Sequence, residues 1–490
     1  MFNNVTPEEA GISSKNVLEF FRALDKYKLA THSVIMARGD KIFTECYYKP
    51  FDRDYKHRMY SISKSFVSVA IGLAEEEGLL SLDDKFIDYF PEYINENVND
   101  KVRAMTLRDM LKMETATRVG EDWFYSGTDD RCEVYFRKMG DKYPGTLFDY
   151  DSSASYMLGV IIEKVTGKTF LDYLKEKFLL DIGFSEDSYC LECPGGHAWG
   201  DSAVMCSSRD LLTFARFVMN KGTWNGKRYM NKEYLDEATR YQADTRVQSF
   251  TKYGSYGYGY QIWKAPNDGF MFVGMGDQFA VCDPKTDFIF IITSDNQGCD
   301  YSRPVMFYAL YDLIVNKLGD ELPEDKKAYG ELSEYINGCE LMHMDGPSES
   351  SFQKEIDGAV YELEENPMNI EYVKFDFEGK KGTLTYKNLQ GEKTLDFGMG
   401  YNEFGLFPED GYSDMVGTKP APGNKYKCAC SAEWSEEKKL VIKVQIIDKY
   451  FGNCTMIFGF KDDIVTVFMS KTAEAFMNEY AGLACGKRKE

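Results

Sequence analysis

Strand-like segments stand at both ends of the first 320 residues, and helix-like spacing fills the stretch between them. This arrangement limits the fold sharply. Strands at both ends of a region must meet in one sheet, and the helical residues between them become an insertion. At the start, Val17, Phe20, Phe21 and Leu24 recur at three- and four-residue spacing, which predicts a helix from Ser14 to about Tyr27. Residues 32–37 and 41–48 then flank Arg38-Gly39-Asp40, a hairpin signal. At the far end, residues 256–264, 270–274, 278–284 and 287–294 are short, aromatic and β-branched, so they read as strands, and 303–319 reads as a closing helix.

Between these ends, helical spacing covers 61–77, which Gly78 closes, and then 106–113, 154–167, 169–179 and 208–222. The expected fold of residues 1–320 is α/β (α+β), an antiparallel sheet flanked by helices with a helical subdomain. Residues 321–350 are polar and read as a linker carrying a short helix at 328–338. Beyond them, 351–490 alternates in strands and predicts an antiparallel barrel or sandwich. The sequence does not choose whether this second domain shapes the pocket, covers it or mediates assembly, and it leaves the oligomeric state open.

Composition excludes some partners. A formal net charge of −21 repels phosphate backbones and anionic headgroups, so neither nucleic acid nor membrane is expected as a partner. No apolar run approaches the roughly 20 residues of a membrane helix. The first residues lack the basic and apolar regions of an export signal. Twelve scattered cysteines then fit reduced thiols in a cytoplasm. Cys190, Cys193, His197 and Cys206 match no standard zinc spacing, so no metal is expected.

The chemistry centres on Ser61-Ile62-Ser63-Lys64. On a helix, positions three apart share a face, so the lysine lies one turn beneath the serine. A helix start favours developing negative charge, and a lysine in a low-dielectric site can help deprotonate a serine. The spacing alone is common: Ser249 and Lys252, Ser351 and Lys354, and Ser435 and Lys438 repeat it. Only the first is followed by an apolar helix able to bury the lysine.

Several segments together resemble one known family. Residues 61–93, 106–116, 144–174 and 207–230 are similar, in order and spacing, to the serine hydrolases that include class C β-lactamases, D-Ala-D-Ala carboxypeptidases and many esterases. The likeness spans roughly residues 5–318. It implies Ser61 as nucleophile, with Lys64 and Tyr150 handling its proton, Tyr150 as general base. Tyr150-Asp151-Ser152 stands where the family carries Tyr-x-Asn or Tyr-x-Ser, and Ser152 would help hold Lys64 and substrate. The third family motif, a cation-x-glycine, is replaced by Phe272-Val273-Gly274. The missing cation implies weak action on β-lactams and places the chain near the aminohexanoate-dimer-hydrolase and esterase branch, where a Gly-x-x-Gln follows; Gly274-Met-Gly-Asp-Gln278 comes close to it. The oxyanion donors implied are the N–H groups of Ser61 and Met275. His197 is a candidate to line the pocket. The expected substrate is a small ester or amide, and no cofactor is implied.

Other readings fit less well. A Ser-His-Asp hydrolase lacks a Gly-x-Ser-x-Gly elbow, and the four histidines are His32, His57, His197 and His343. Gly167-Lys168-Thr169 ends like a phosphate-binding loop, but Ile162 occupies the earlier glycine position. Ser294-Asp295-Asn296 imitates a class A motif but follows the third-motif strand, so it reads as a strand end and turn. The remaining alternative is a non-catalytic binding or sensor protein of the same fold, against which the retention of both Ser61 and Lys64 argues.

Overall fold

The computed structural model describes all residues except 1, 121–122, 124–127, 247, 249–253, 412–422, 474–475 and 490. The Ser249 and Lys252 pair therefore lies outside the described residues. The chain forms two units, Met1–Glu340 and Leu341–Glu490.

The first unit is built on one sheet of seven strands. Helix α1 spans Ser14–Lys26, and the hairpin strands β1 and β2 span Thr31–Arg38 and Lys41–Tyr47. Helix α2 is Ser63–Glu76, α3 is Ser152–Thr166 and α4 is Ser208–Met219. Strands β3, β4 and β5 are Phe270–Gly274, Gln278–Asp283 and Phe288–Ser294. In space the order runs β2-β1-β5-β4-β3, so the two ends of the region meet where β1 pairs antiparallel with β5. Two-residue strands, Asn3–Asn4 and Trp263–Lys264, complete the edges.

Both faces of this sheet are covered, which explains why its strands read as nearly continuous apolar runs. On one face Phe288, Phe290 and Ile292 of β5 join Phe20, Phe21 and Phe307 in a single core. On the other, Phe214 of α4 packs on Phe272 at 5.4 Å and stacks on Phe66 of α2 at 3.7 Å. The sheet thus carries α4, and α4 in turn positions α2, which follows Ser61.

Two readings are corrected here. Residues 256–264 are strand only at Trp263–Lys264. A Cβ at Gly259 would lie 2.0 Å from the Ala238 carbonyl, and Gly257 adopts φ +109°. Its glycines permit close approach in a coil, where its aromatic residues suggested a strand. The segment 321–350 is not simply a linker, because the helix Lys326–Gly338 buries Leu332 in the first unit's core and Cys339, just beyond it, is buried there as well.

The second unit is a closed barrel. Its nine strands are β6 Val360–Leu363, β7 Tyr372–Glu378, β8 Lys381–Asn388, β9 Gly391–Met399, β10 Lys427–Glu436, β11 Lys439–Ile447, β12 Phe451–Lys461, β13 Ile464–Ala473 and β14 Gly482–Arg488. They run β9-β8-β7-β6-β14-β13-β12-β11-β10, and a parallel pairing of β9 with β10 closes the ring. Strands β6, β10 and β14 carried little sequence signal. Cys-Ala-Cys-Ser-Ala in β10 and Gly-Leu-Ala-Cys-Gly in β14 are small residues of low strand propensity.

Candidate active site

The chain reaches Ser61 through a constrained segment. His57 and Arg58 pair with Cys206 and Met205, and Met59 N–H donates to the Val204 carbonyl at 2.9 Å. Tyr60 then adopts φ +47°, a conformation costing about 1–3 kcal/mol in a non-glycine residue. Its surroundings hold it there. The buried Arg58 guanidinium lies 4.3 Å from the Tyr60 ring and 4.6 Å from the Trp199 ring. Ser61 follows in a one-turn 3-10 helix, Tyr60–Ile62, that leads into α2. It is partly exposed.

Beneath it, Lys64 is only 1% exposed. Its Nζ donates to Ser61 Oγ at 2.9 Å and to the Asp201 backbone carbonyl at 2.6 Å. The apolar run that follows buries every residue from Ser63 to Ala74, which is why this lysine is enclosed. Ser351, Lys354, Ser435 and Lys438 are all exposed.

Tyr150 lies beside this pair, with Lys64 Nζ 5.3 Å from its ring centre. The ring stacks on Trp263 at 5.8 Å, and Tyr150 N–H donates to Gln248 Oε1 at 2.9 Å. Asp151 caps α3 by accepting from Ala154 N–H at 3.2 Å, and burial pushes its carboxyl up. Ser152 is the first residue of α3. With Tyr150, Arg118 and Trp123 it lines a cavity of about 270 Å³. Lys64 spends its hydrogen bonds on Ser61 and Asp201 and none on Ser152.

The end of β3 packs against the turn that carries Ser61. A Cβ at Gly274 would sit 2.4 Å from the Met59 carbonyl, so only glycine allows this approach. Met275 follows, partly exposed, and its N–H donates to no backbone carbonyl among the described residues.

Three candidates are placed differently from the sequence reading. Phe272 is 0% exposed and packs on Phe214, so it belongs to the core between sheet and α4 and presents no face to a ligand. Gln278 is also 0% exposed. Its amide nitrogen donates to the carbonyls of Met275 at 2.8 Å and Ser294 at 2.6 Å, while its oxygen accepts from Ser294 N–H at 3.0 Å. It therefore holds the turn and does not contact substrate. His197 Nδ1 meets Glu163 Oε2 at 2.5 Å, a contact that raises its proton affinity. That partner directs it toward α3, and its ring packs on Tyr156.

Sequence reasoning missed Asp201 and Gln261. Asp201 is 2% exposed, and burial pushes its carboxyl up to about 6 despite the opposing charge of Lys64. Gln261 accepts from Ser155 Oγ at 2.5 Å through its side chain and from Ser65 Oγ at 2.8 Å through its carbonyl, tying α3 to α2. Neither carries a local signal, because each acts through partners more than 50 positions away.

Comparison with known proteins agrees with this fold. A 6-aminohexanoate-dimer hydrolase of Paenarthrobacter ureafaciens is 24% identical over 286 residues, covering 53% of this chain and 71% of that protein. Among solved structures, a Bacillus anthracis protein provisionally assigned as a 6-aminohexanoate-dimer hydrolase superposes with TM-score 0.54 at 17% identity, over 66% of this chain and 88% of its own. A family VIII carboxylesterase gives 0.50 at 18% identity, over 64% and 99%. At such identities the two structures speak for the fold alone. The family model for Beta-lactamase matches residues 19–307, which takes in Ser61, Lys64, Tyr150 and the Gly274 strand. With more than half its length matched, this chain belongs to the beta-lactamase family of enzymes.

Proposed function

We propose that the protein is a serine hydrolase that cleaves a small ester or amide through an acyl-enzyme on Ser61, with the chemistry residing in the first unit. The observation that carries this reading is Lys64 Nζ, buried and 2.9 Å from Ser61 Oγ, next to Tyr150. Ser61 Oγ attacks the carbonyl carbon while its proton passes to the Tyr150–Lys64 pair. The tetrahedral oxyanion is held by the N–H groups of Ser61 and Met275. Collapse breaks the ester or amide bond, and the same pair returns the proton to the leaving group. Water then attacks the acyl carbon, again giving up its proton, and releases the acid.

The names of the relatives support both bond types, amide for the aminohexanoate-dimer hydrolase and ester for the carboxylesterase. Action on β-lactams is expected to be weak, because Phe272 supplies no cation for the ring carboxylate. Incubation with a fluorophosphonate, followed by peptide mass spectrometry, tests the nucleophile. The expected adduct is on Ser61. An adduct elsewhere, or none on well-folded protein, would overturn the reading and favour a binding protein. A panel of acyl esters, D-amino-acid amides and cyclic amides, with nitrocefin included, then sorts the substrates.

A further inference from the structure

The turn Met275-Gly276-Asp277 is clamped far more completely than a hairpin turn requires. Gly276 and Asp277 both adopt left-handed backbone, φ +76° and +70°. Every carbonyl of the turn accepts a hydrogen bond, those of Gly276 and Asp277 sharing the Ser294 hydroxyl. Met275 O takes Gln278 Nε2 at 2.8 Å. Gly276 O takes Ser294 Oγ at 2.8 Å and Asn296 N–H at 3.1 Å. Asp277 O takes the same Ser294 Oγ at 2.8 Å.

The side chain of Asp277 is anchored as well. Its carboxylate accepts from Arg303 Nε at 2.7 Å and from Ser302 Oγ at 2.5 Å. Ser294 and Gln278 also bond each other's backbone and amide groups, and both are fully buried. Asn296 in turn accepts from Ala30 N–H at 2.8 Å, which joins the clamp to the start of β1.

These bonds fix successive peptide planes just beyond Gly274, whose Cα faces the Met59 carbonyl. A chain so fixed leaves Gly274 on one course, and Met275 N–H then has one direction. Preorganised donors matter most where charge develops, because they need no reorganisation during reaction. We infer that Ser294, with Gln278 and Asp277 in support, is a positioning residue for the oxyanion hole, acting through the Met275 peptide. The sequence resemblance of Ser294-Asp295-Asn296 to a catalytic motif is thus an accident of composition, yet two of its residues serve the same serine from behind. The inference rests on the serine-hydrolase reading.

The test is Ser294→Ala, with Ser294→Thr as the variant that keeps the hydroxyl, assayed on an activated ester and its thionoester. A carbonyl oxygen fits the donor pair, while the larger sulfur fits poorly. In Ser294→Ala, kcat on the ester is expected to fall about tenfold to a hundredfold with KM changed less than about threefold. The ester-to-thionoester preference is expected to fall with it, and Ser294→Thr to recover most of both. Asp277→Asn loosens the turn from its other side and is expected to give a smaller loss of the same kind, which covers the case of a Ser294→Ala protein that does not fold. Unchanged kcat, a loss confined to KM, or an equal loss for both substrates overturns the inference alone. Wild-type protein that turns over no ester overturns the hydrolase reading and this inference with it.

Discussion

The turn after Gly274 and the floor beneath Lys64 serve the same serine, but their polar groups are treated in opposite ways. In the turn, the carbonyls of residues 275–277 and the Asp277 carboxylate all have donors. In the floor, Asp201, whose backbone carbonyl accepts from Lys64 Nζ at 2.6 Å, keeps its carboxyl Oδ1 buried without a hydrogen-bond partner among the described residues. A satisfied network is rigid, and a buried group left without a partner costs roughly 1–3 kcal/mol. The first arrangement suits a donor that must stay still. The second leaves the Asp201 carboxyl pushed up to about 6, so this group changes protonation close to neutral pH. Stability is concentrated on the strand side of Ser61 and given up on the helix side.

The largest effect should come from removing the cation of the floor. Lys64→Met is expected to slow fluorophosphonate labelling of Ser61 by at least about a hundredfold. Labelling at the wild-type rate would remove Lys64 from the proton path and dissolve the contrast drawn above.

Asp201 offers a thermodynamic version of the same test. Its carboxyl titrates near 3.8 in an unfolded chain and is pushed up to about 6 in the fold. Between those values the folded protein holds more protons than the unfolded chain. Stability contributed by this group is therefore present at low pH and is lost as pH rises through about 6. Asp201→Asn is expected to be more stable than wild type at pH 8, by up to about 3 kcal/mol, and to lose that advantage below about pH 4. Urea denaturation across this range checks it. A difference that does not vary with pH would mean that Asp201 is as well compensated as Asp277.

The smallest effect should come from His197. Its contact with Glu163 is partly open to solvent, with 35% and 17% of the two side chains exposed, so His197→Ala should cost no more than about 1 kcal/mol. Ser61 labelling should stay within about twofold of wild type. A tenfold loss would return this histidine to the pocket.

Much of this was legible in the chain. Helical spacing located α1 and α2, a turn signal the hairpin, and aromatic and β-branched runs the strands β3 to β5, because both faces of the sheet and the core side of each helix had to be apolar. The pairing of Ser61 with Lys64 followed from helical spacing and an apolar run long enough to bury a lysine. The elements it lost were those whose signal is weak or borrowed. Small residues hid β10 and β14, and the glycines of 256–264 imitated a strand.

The sequence alone determined which serine could have a buried lysine beneath it and that strands from both ends of the first region had to share a sheet. Local spacing governs both, and spacing is written in the chain. Tertiary structure alone decided what faces that serine. Phe272 could not be turned into the core, nor Gln278 and Ser294 onto the turn after Gly274, nor Asp201 beneath Lys64, by any neighbour in sequence. Each was placed by an element packed against it from a distant part of the chain, and hydrogen bonds and burial across such distances exist only once the sheet has closed.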